Sequence, residues 1–223
     1  MPGRCAAYFR KAGKVMKKDN DLVIAIPKGF LHDGAHKYLS GLGINLRQES
    51  NSRELVFFDK KNNIKGLLVR PSDVAVYVEH GSADLGIVGL DLIKEQAPDV
   101  IKLKDLKFGK CKLVLAVKKE SKYKRAESLP ENCKIATKFT KLAGEFIHKK
   151  GLTAEIIKLY GSVELAPITN LSDGIIDLVA TGKTLRANNL TTIETILESS
   201  AILIANPVSY KFKKTKIMPF LLI

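Results

Sequence analysis

Tryptophan is absent from the 223 residues, and methionine and cysteine occur only three times each. Cys5, Cys111 and Cys133 are widely spaced and odd in number. They offer no disulfide framework, CxxC pair or thiolate cage, and read as reduced, mostly buried thiols of a cytoplasmic protein. No apolar run approaches the roughly 20 residues that a membrane-spanning helix needs. The basic start of the chain is not followed by an apolar stretch and cleavage site, which argues against export. Acidic residues are missing from residues 1–18, which hold Arg4, Arg10, Lys11, Lys14, Lys17 and Lys18. They are also missing from residues 199–223, which hold Lys211, Lys213, Lys214 and Lys216. Of the net charge of +14, only +4 is left for residues 19–198. The excess reads as solvated tails rather than a basic face interleaved with aromatics, so neither nucleic acid nor a membrane is an expected partner.

Hydrophobic residues make up 45% and charged residues 27%, the balance of a folded globular chain that needs no disulfide or metal staple. Residues 22–26 are a β-branched strand ended by Pro27-Lys28-Gly29. A helical pattern follows over 31–40, closed by Gly41 and Gly43. Strands are predicted at 55–58, 67–69 and 84–89, with a helix capped by Asp73 and running to about His80. A second set of strands is predicted at 112–117, 134–136, 155–159, 174–179 and 201–205, with helices at 141–150 and 164–171. Residues 118–132 are polar and lysine-rich and read as a surface loop. Strands alternating with helices indicate α/β lobes with parallel sheets. The predicted layout is a basic extension at 1–18, a first lobe at 19–108, a second at 109–207 and a tail at 208–223. A ligand cleft is expected between the lobes, at the C-terminal ends of the strands.

Asp177-Leu178-Val179-Ala180-Thr181-Gly182-Lys183-Thr184 carries the strongest chemical signal. It follows an apolar strand. Gly182 permits close approach of backbone to ligand, Thr181 and Thr184 offer hydroxyls, and backbone N–H groups entering the next short helix favour an anion. Asp177 stands where a Walker A loop has its first glycine, and a carboxylate there would repel a triphosphate. A phosphosugar suits the loop better, with Asp177 accepting from ribose hydroxyls. Asp173 could add a second carboxylate near the sugar or a pyrophosphate-bound Mg²⁺. A plain turn, with Asp173 capping a helix, explains the same residues. Lys28, Arg53 and Arg70 lie near strand ends where phosphates could be met, and Gly161 and Ser162 lie in a glycine-bearing strand end. His32 and His36 are spaced i, i+4 without a third ligand, and no GxSxG elbow is present.

Taken together, Ile24–Gly29, Val69–Val74, Val78–Gly89, Phe108–Cys111, Ile135–Lys138, Leu159–Pro167 and Asp177–Asn188 resemble the ATP phosphoribosyltransferase family, which opens histidine biosynthesis. The motifs follow the family's order from about Leu22 to Tyr210. The resemblance implies two lobes of the periplasmic-binding-protein type II kind, and ATP and phosphoribosyl pyrophosphate as substrates with Mg²⁺. By that resemblance Asp177, Thr181, Gly182, Lys183, Thr184 and Leu185 hold the phosphoribosyl end. Lys28, Arg53, Arg70, Asp91, Gly161, Ser162 and Glu164 line the nucleotide side, and Asp177 and Asp173 are the catalytic carboxylates. The length is similar to that of the family's short form. That implies a homodimer within a hetero-oligomer, working with a regulatory subunit resembling a histidyl-tRNA synthetase. Phe30 and Leu90 stand where many members have Arg and Lys, and Asn170 and Ser172 replace a Gly and an Ala. The phosphate loop is intact.

The implied reaction is displacement at the ribose anomeric carbon by N1 of adenine. N1 has a free lone pair at neutral pH, so no strong general base is needed, and the work falls on orientation and charge stabilisation. A non-catalytic two-lobed small-molecule binding protein is the alternative reading.

Overall fold

The computed structural model describes residues 21–46 and 54–222. The basic extension and Arg53 lie outside the described residues. The first half of the chain forms β1 (Leu22–Pro27), α1 (His32–Gly41), β2 (Val56–Asp59), β3 (Ile64–Val69), α2 (Pro71–Glu79), β4 (Leu85–Gly89), α3 (Leu90–Gln96) and β5 (Ile101–Asp105). The second half forms β6 (Cys111–Lys118), β7 (Cys133–Thr137), α4 (Thr140–Lys149), β8 (Ala154–Lys158), α5 (Leu165–Ile168), β9 (Gly174–Val179), α6 (Lys183–Ala187) and β10 (Leu190–Ser199). β11 (Ala201–Ala205), α7 (Pro207–Phe212) and α8 (Lys214–Ile217) follow.

Two sheets result, with orders β2-β3-β1-β4-β11-β5 and β10-β6-β9-β7-β8. The parallel arrangement predicted from sequence holds in part of each. β1 runs parallel to β3 and β4, and β7 parallel to β8 and β9. All six residues of β1 are buried, as expected for a strand covered on both faces. The flanks differ from the expectation: β2, β11, β5, β6 and β10 pair antiparallel. β6 enters the second sheet from the first and β10 leaves it for β11, so the two crossing strands run in opposite directions.

The crossing falls at residues 106–110, and the chain returns at Ser200. The two segments are paired: Leu106 N donates to Ala201 O and Ala201 N to Phe108 O, both at 2.9 Å. Residues 201–205, expected in the second lobe, lie in the first sheet between β4 and β5. The following segment also departs from a solvated tail. Ile217 and Phe220 are buried in the first lobe's core, and Lys213 is ion-paired at 2.9 Å with the fully buried carboxylate of Asp84. Asp73 is not the cap of α2. Pro71 opens that helix, where its missing N–H costs nothing, and Arg70 is the N-cap. Asn170 and Ser172 lie beyond the four-residue α5 rather than within a helix.

Candidate active site

In the second lobe, β9 ends at Val179 and the chain turns through Ala180-Thr181-Gly182 into α6. Gly182 has φ +72°, the left-handed conformation that lets this turn close without a Cβ penalty. The turn and Glu164 enclose a cavity of about 320 Å³ lined by residues 177–185. Thr181, Lys183 and Thr184 are exposed towards solvent, whereas the Leu185 side chain is buried in the lobe core. Leu185 therefore anchors the turn, and what it offers the cavity is backbone. Two cations the sequence reading missed complete the pocket. Arg186 folds back to donate from Nη2 to Thr181 O at 3.0 Å. Lys138, just after β7, holds its Nζ 3.9 Å from Asp177 Oδ1. Both occur in the quoted motifs, but only the fold places them on the turn.

Asp177 is poorly solvated here. Its Oδ1 is buried without a hydrogen-bond partner among the described residues. Burial pushes its carboxyl up from the usual value, Lys138 and the Leu178 N–H oppose this, and the charge of Glu164 adds to it. A group aimed into the cavity with an unused acceptor is suited to a ligand hydroxyl.

Asp173 is not part of this pocket. It lies at the other end of β9, about 13 Å along the strand from Asp177. Its Oδ2 accepts from Lys134 N at 2.7 Å, and it lines a separate surface hollow with Lys118, Tyr123 and Asn170. An extended strand puts i and i+4 on one face but at opposite ends, so the pairing expected from sequence fails on distance.

The first lobe presents Arg70, Lys28 and Asp91 at the adjacent C-terminal ends of β3, β1 and β4. Lys28 and Arg70 are exposed there, and Lys28 N donates to Val69 O at 2.9 Å. Asp91 is buried: its Oδ1 accepts from Ser199 Oγ at 2.6 Å and its N–H donates to the same oxygen at 3.1 Å. It therefore braces the crossing strand β10. Gly161 and Ser162 lie in the exposed loop before α5, where Ser162 O accepts from Leu165 N at 3.1 Å. Glu164, grouped with the nucleotide side from sequence, instead lines the cavity of the Asp177 turn.

Between the lobes a cleft of about 560 Å³ is bounded by Leu90, Cys111, Val114 and Ser199, and it meets the turn cavity at Val179 and Ala180. Burial and the charge of Asp91 push the Cys111 thiol up, against a Ser199 hydrogen bond and Lys138. Among the described residues no three His, Cys, Asp or Glu side chains group into a metal cage.

The family model described as HisG, ATP phosphoribosyltransferase, matches residues 70–222. An ATP phosphoribosyltransferase from Rippkaea orientalis is 48% identical over 201 residues, covering 89% of this chain and 95% of its own. One from Synechococcus elongatus is 47% identical over 192 residues, covering 85% and 88%. The solved ATP phosphoribosyl transferase (HisG:HisZ) complex from Thermotoga maritima matches with TM-score 0.75 and 37% identity, over 90% of this chain and 94% of that one. The periplasmic aliphatic sulphonate binding protein SsuA from Escherichia coli matches with TM-score 0.58 at 13% identity, over 90% and 71%. At that identity SsuA speaks for the two-lobed fold alone. Identity of this level across nearly the whole chain, with the Asp177–Leu185 turn formed at the mouth of the cleft, places the chain in the ATP phosphoribosyltransferase family.

Proposed function

We propose that the protein transfers phosphoribosyl from phosphoribosyl pyrophosphate to N1 of ATP in histidine biosynthesis, with the Asp177 turn as its phosphoribosyl site. The observation that carries the assignment is the cavity lined by residues 177–185 and Glu164. The N1 lone pair forms the new bond to the anomeric carbon while the bond to pyrophosphate breaks, its electrons leaving on the pyrophosphate oxygen. The backbone of Thr181–Thr184, the two threonine hydroxyls and Lys183 hold the 5′-phosphate. Asp177 accepts from ribose hydroxyls, and Asp177 with Glu164 favours the positive charge that builds on the sugar. Lys138 and Arg186 supply counter-charge at the edges of the turn. Lys28 and Arg70 meet the ATP phosphates from the facing lobe, and Asp91 holds the wall between them in place. Gly161 and Ser162 offer backbone beside Glu164. Arg53, outside the described residues, is assigned to the nucleotide side on the family pattern alone. Asp173 is assigned no catalytic part.

Mg²⁺ would suit this site as a companion of the substrate, held beside the Asp177 turn by the phosphate groups that the turn binds, and would supply counter-charge to the leaving pyrophosphate. The Thermotoga maritima relative was solved as a HisG:HisZ complex. We extend that assembly to this chain, as a homodimer within a hetero-oligomer containing a regulatory subunit that resembles a histidyl-tRNA synthetase. No helix among the described residues is long and apolar enough to cross a membrane, and we assign the enzyme to the cytoplasm.

The test mixes the protein with ATP, phosphoribosyl pyrophosphate and Mg²⁺, with and without the regulatory subunit, and follows pyrophosphate release together with the absorbance of N1-substituted adenine. Turnover that needs both substrates is expected. A folded protein that binds a substrate but never turns over, with or without the subunit, would instead be a two-lobed binding protein.

A further inference from the structure

We propose that Glu95 is a positioning residue for the phosphoribosyl pocket: from the first lobe it caps α4 of the second, and so sets where Lys138 stands against Asp177. The inference rests on the function proposed above.

Helix α4 has ten residues, and Phe139 before it offers no side-chain cap. Its first N–H groups would be orphaned in the contact between the lobes. Glu95, near the end of α3, supplies the missing acceptors. Its Oε1 accepts from Lys141 N at 3.0 Å and lies 3.4 Å from Thr140 Oγ1, and its Oε2 accepts from Leu142 N at 3.0 Å. A carboxylate at this end of a helix is also favoured by the helix dipole. A serine or aspartate at the helix's own N-cap would satisfy the same groups wherever the lobes stood. A cap donated by the other lobe satisfies them in one arrangement only.

Lys138 lies between this cap and a second fixed point. Thr137 is fully buried, and its Oγ1 donates to Ile176 O at 2.6 Å and accepts from Phe139 N at 2.9 Å. That bond ties the segment to β9 one residue before Asp177. Lys138 is thus held by β9 on one side and by Glu95 on the other, with its Nζ 3.9 Å from Asp177 Oδ1. Helix α3 is itself anchored in its first turn. Asp91 is bonded to Ser199 of the crossing strand, and Leu92 packs against the cores of both lobes. A change in the separation of the lobes must either break the Glu95 cap or carry the start of α4, and Lys138 with it.

The experiment uses the full chain with its regulatory subunit and compares wild type, Glu95→Ala, Glu95→Gln, Lys138→Met and the Glu95→Ala/Lys138→Met double variant. Loss of a cap of ordinary strength, to the extent that it loosens Lys138 against Asp177, predicts a rise of up to roughly tenfold in KM for phosphoribosyl pyrophosphate in Glu95→Ala, with a smaller change in kcat. Glu95→Gln keeps one acceptor and should recover part of the loss. In the Lys138→Met background, Glu95→Ala should add little, because both changes act on the same contact. Hydrogen exchange at the Lys141 and Leu142 amides should accelerate in Glu95→Ala. Faster exchange with unchanged kinetics would reduce Glu95 to a structural cap and overturn the proposal, as would fully additive effects in the double variant. If wild type shows no turnover, the proposed function fails. The positioning claim is then read from the calorimetric affinity for phosphoribosyl pyrophosphate in the same variants, with equal affinities overturning it.

Discussion

Asp177 has one carboxylate oxygen buried with no donor among the described residues, and Lys138 stands 3.9 Å from it. Because its carboxyl is raised in the folded chain, the bound proton favours folding and the ionised form opposes it. The stabilising share of this group is complete below its ordinary value of 3.8 and is lost as pH rises through the folded value. Asp177→Asn should therefore raise the melting temperature of the ligand-free protein at neutral pH, by an amount that shrinks as the buffer is taken below that ordinary value. The same variant should lower kcat by about a hundredfold or more. A melting temperature that falls at neutral pH would show that the carboxylate is satisfied after all. Asp84 is a buried carboxylate that does have its donors. It accepts from Val23 N at 2.8 Å, Ser209 Oγ at 2.6 Å and Lys213 Nζ at 2.9 Å. Lys213→Met leaves that charge without its cation and should cost roughly 3–5 kcal/mol, read from urea unfolding. A loss below about 1 kcal/mol would mean that the pair is dispensable.

At the scale of elements, the last described helices cover the first lobe. Tyr38 of α1 donates to Phe220 O, and Lys104 Nζ donates to Leu221 O at 3.0 Å. Burial pushes the Tyr38 phenol from 10.0 up to about 12. The neutral phenol is the folded form, so its contribution is complete below pH 10 and is lost as pH rises towards about 12. Alkaline titration followed by tyrosinate absorbance and circular dichroism together should show one tyrosine ionising late, with loss of helix. Tyr38→Phe should remove that late step. These contacts also mark the limit of what the sequence conveys. The strand cores and the Asp177–Thr184 turn were legible because their signals are local: β-branched runs and consecutive glycine and hydroxyl residues at a strand end. Lys138, Arg186 and the pairing of Lys213 with Asp84 were not, because a lone cation reads as solvated until a fold brings its partner near. Asp173 misled for a related reason, since a spacing of four is close on a helix but distant on a strand. The helix at α3 and the long strand β10 were missed where apolar and polar residues follow neither period cleanly, and there the packing between lobes decides the conformation.

At the scale of the molecule, two chain segments join the lobes, and Gly109 lies in one of them. Its φ is +62°, and a Cβ built there would stand 2.1 Å from Leu31 Cδ2. Gly109→Ala should combine backbone strain with overpacking and cost about 1–3 kcal/mol. It should also weaken turnover, because the displaced segment carries Cys111 and the wall of the cleft. Calorimetry with steady-state rates measures both, and unchanged values for each would mean that the crossing tolerates the side chain. The return of the chain to the first sheet has a further consequence. β11 is inserted between β4 and β5, whereas the whole second sheet lies between β6 and β10 in sequence. During synthesis the second lobe has all its strands available before the first lobe does, although the first lobe begins to emerge earlier. The strands made first must wait with a gap beside the edge strand, β4 and β5 unpaired with each other, until residues 201–205 arrive. That interval exposes strand edges, and it makes the older half of this chain the part with most need of protection on the ribosome.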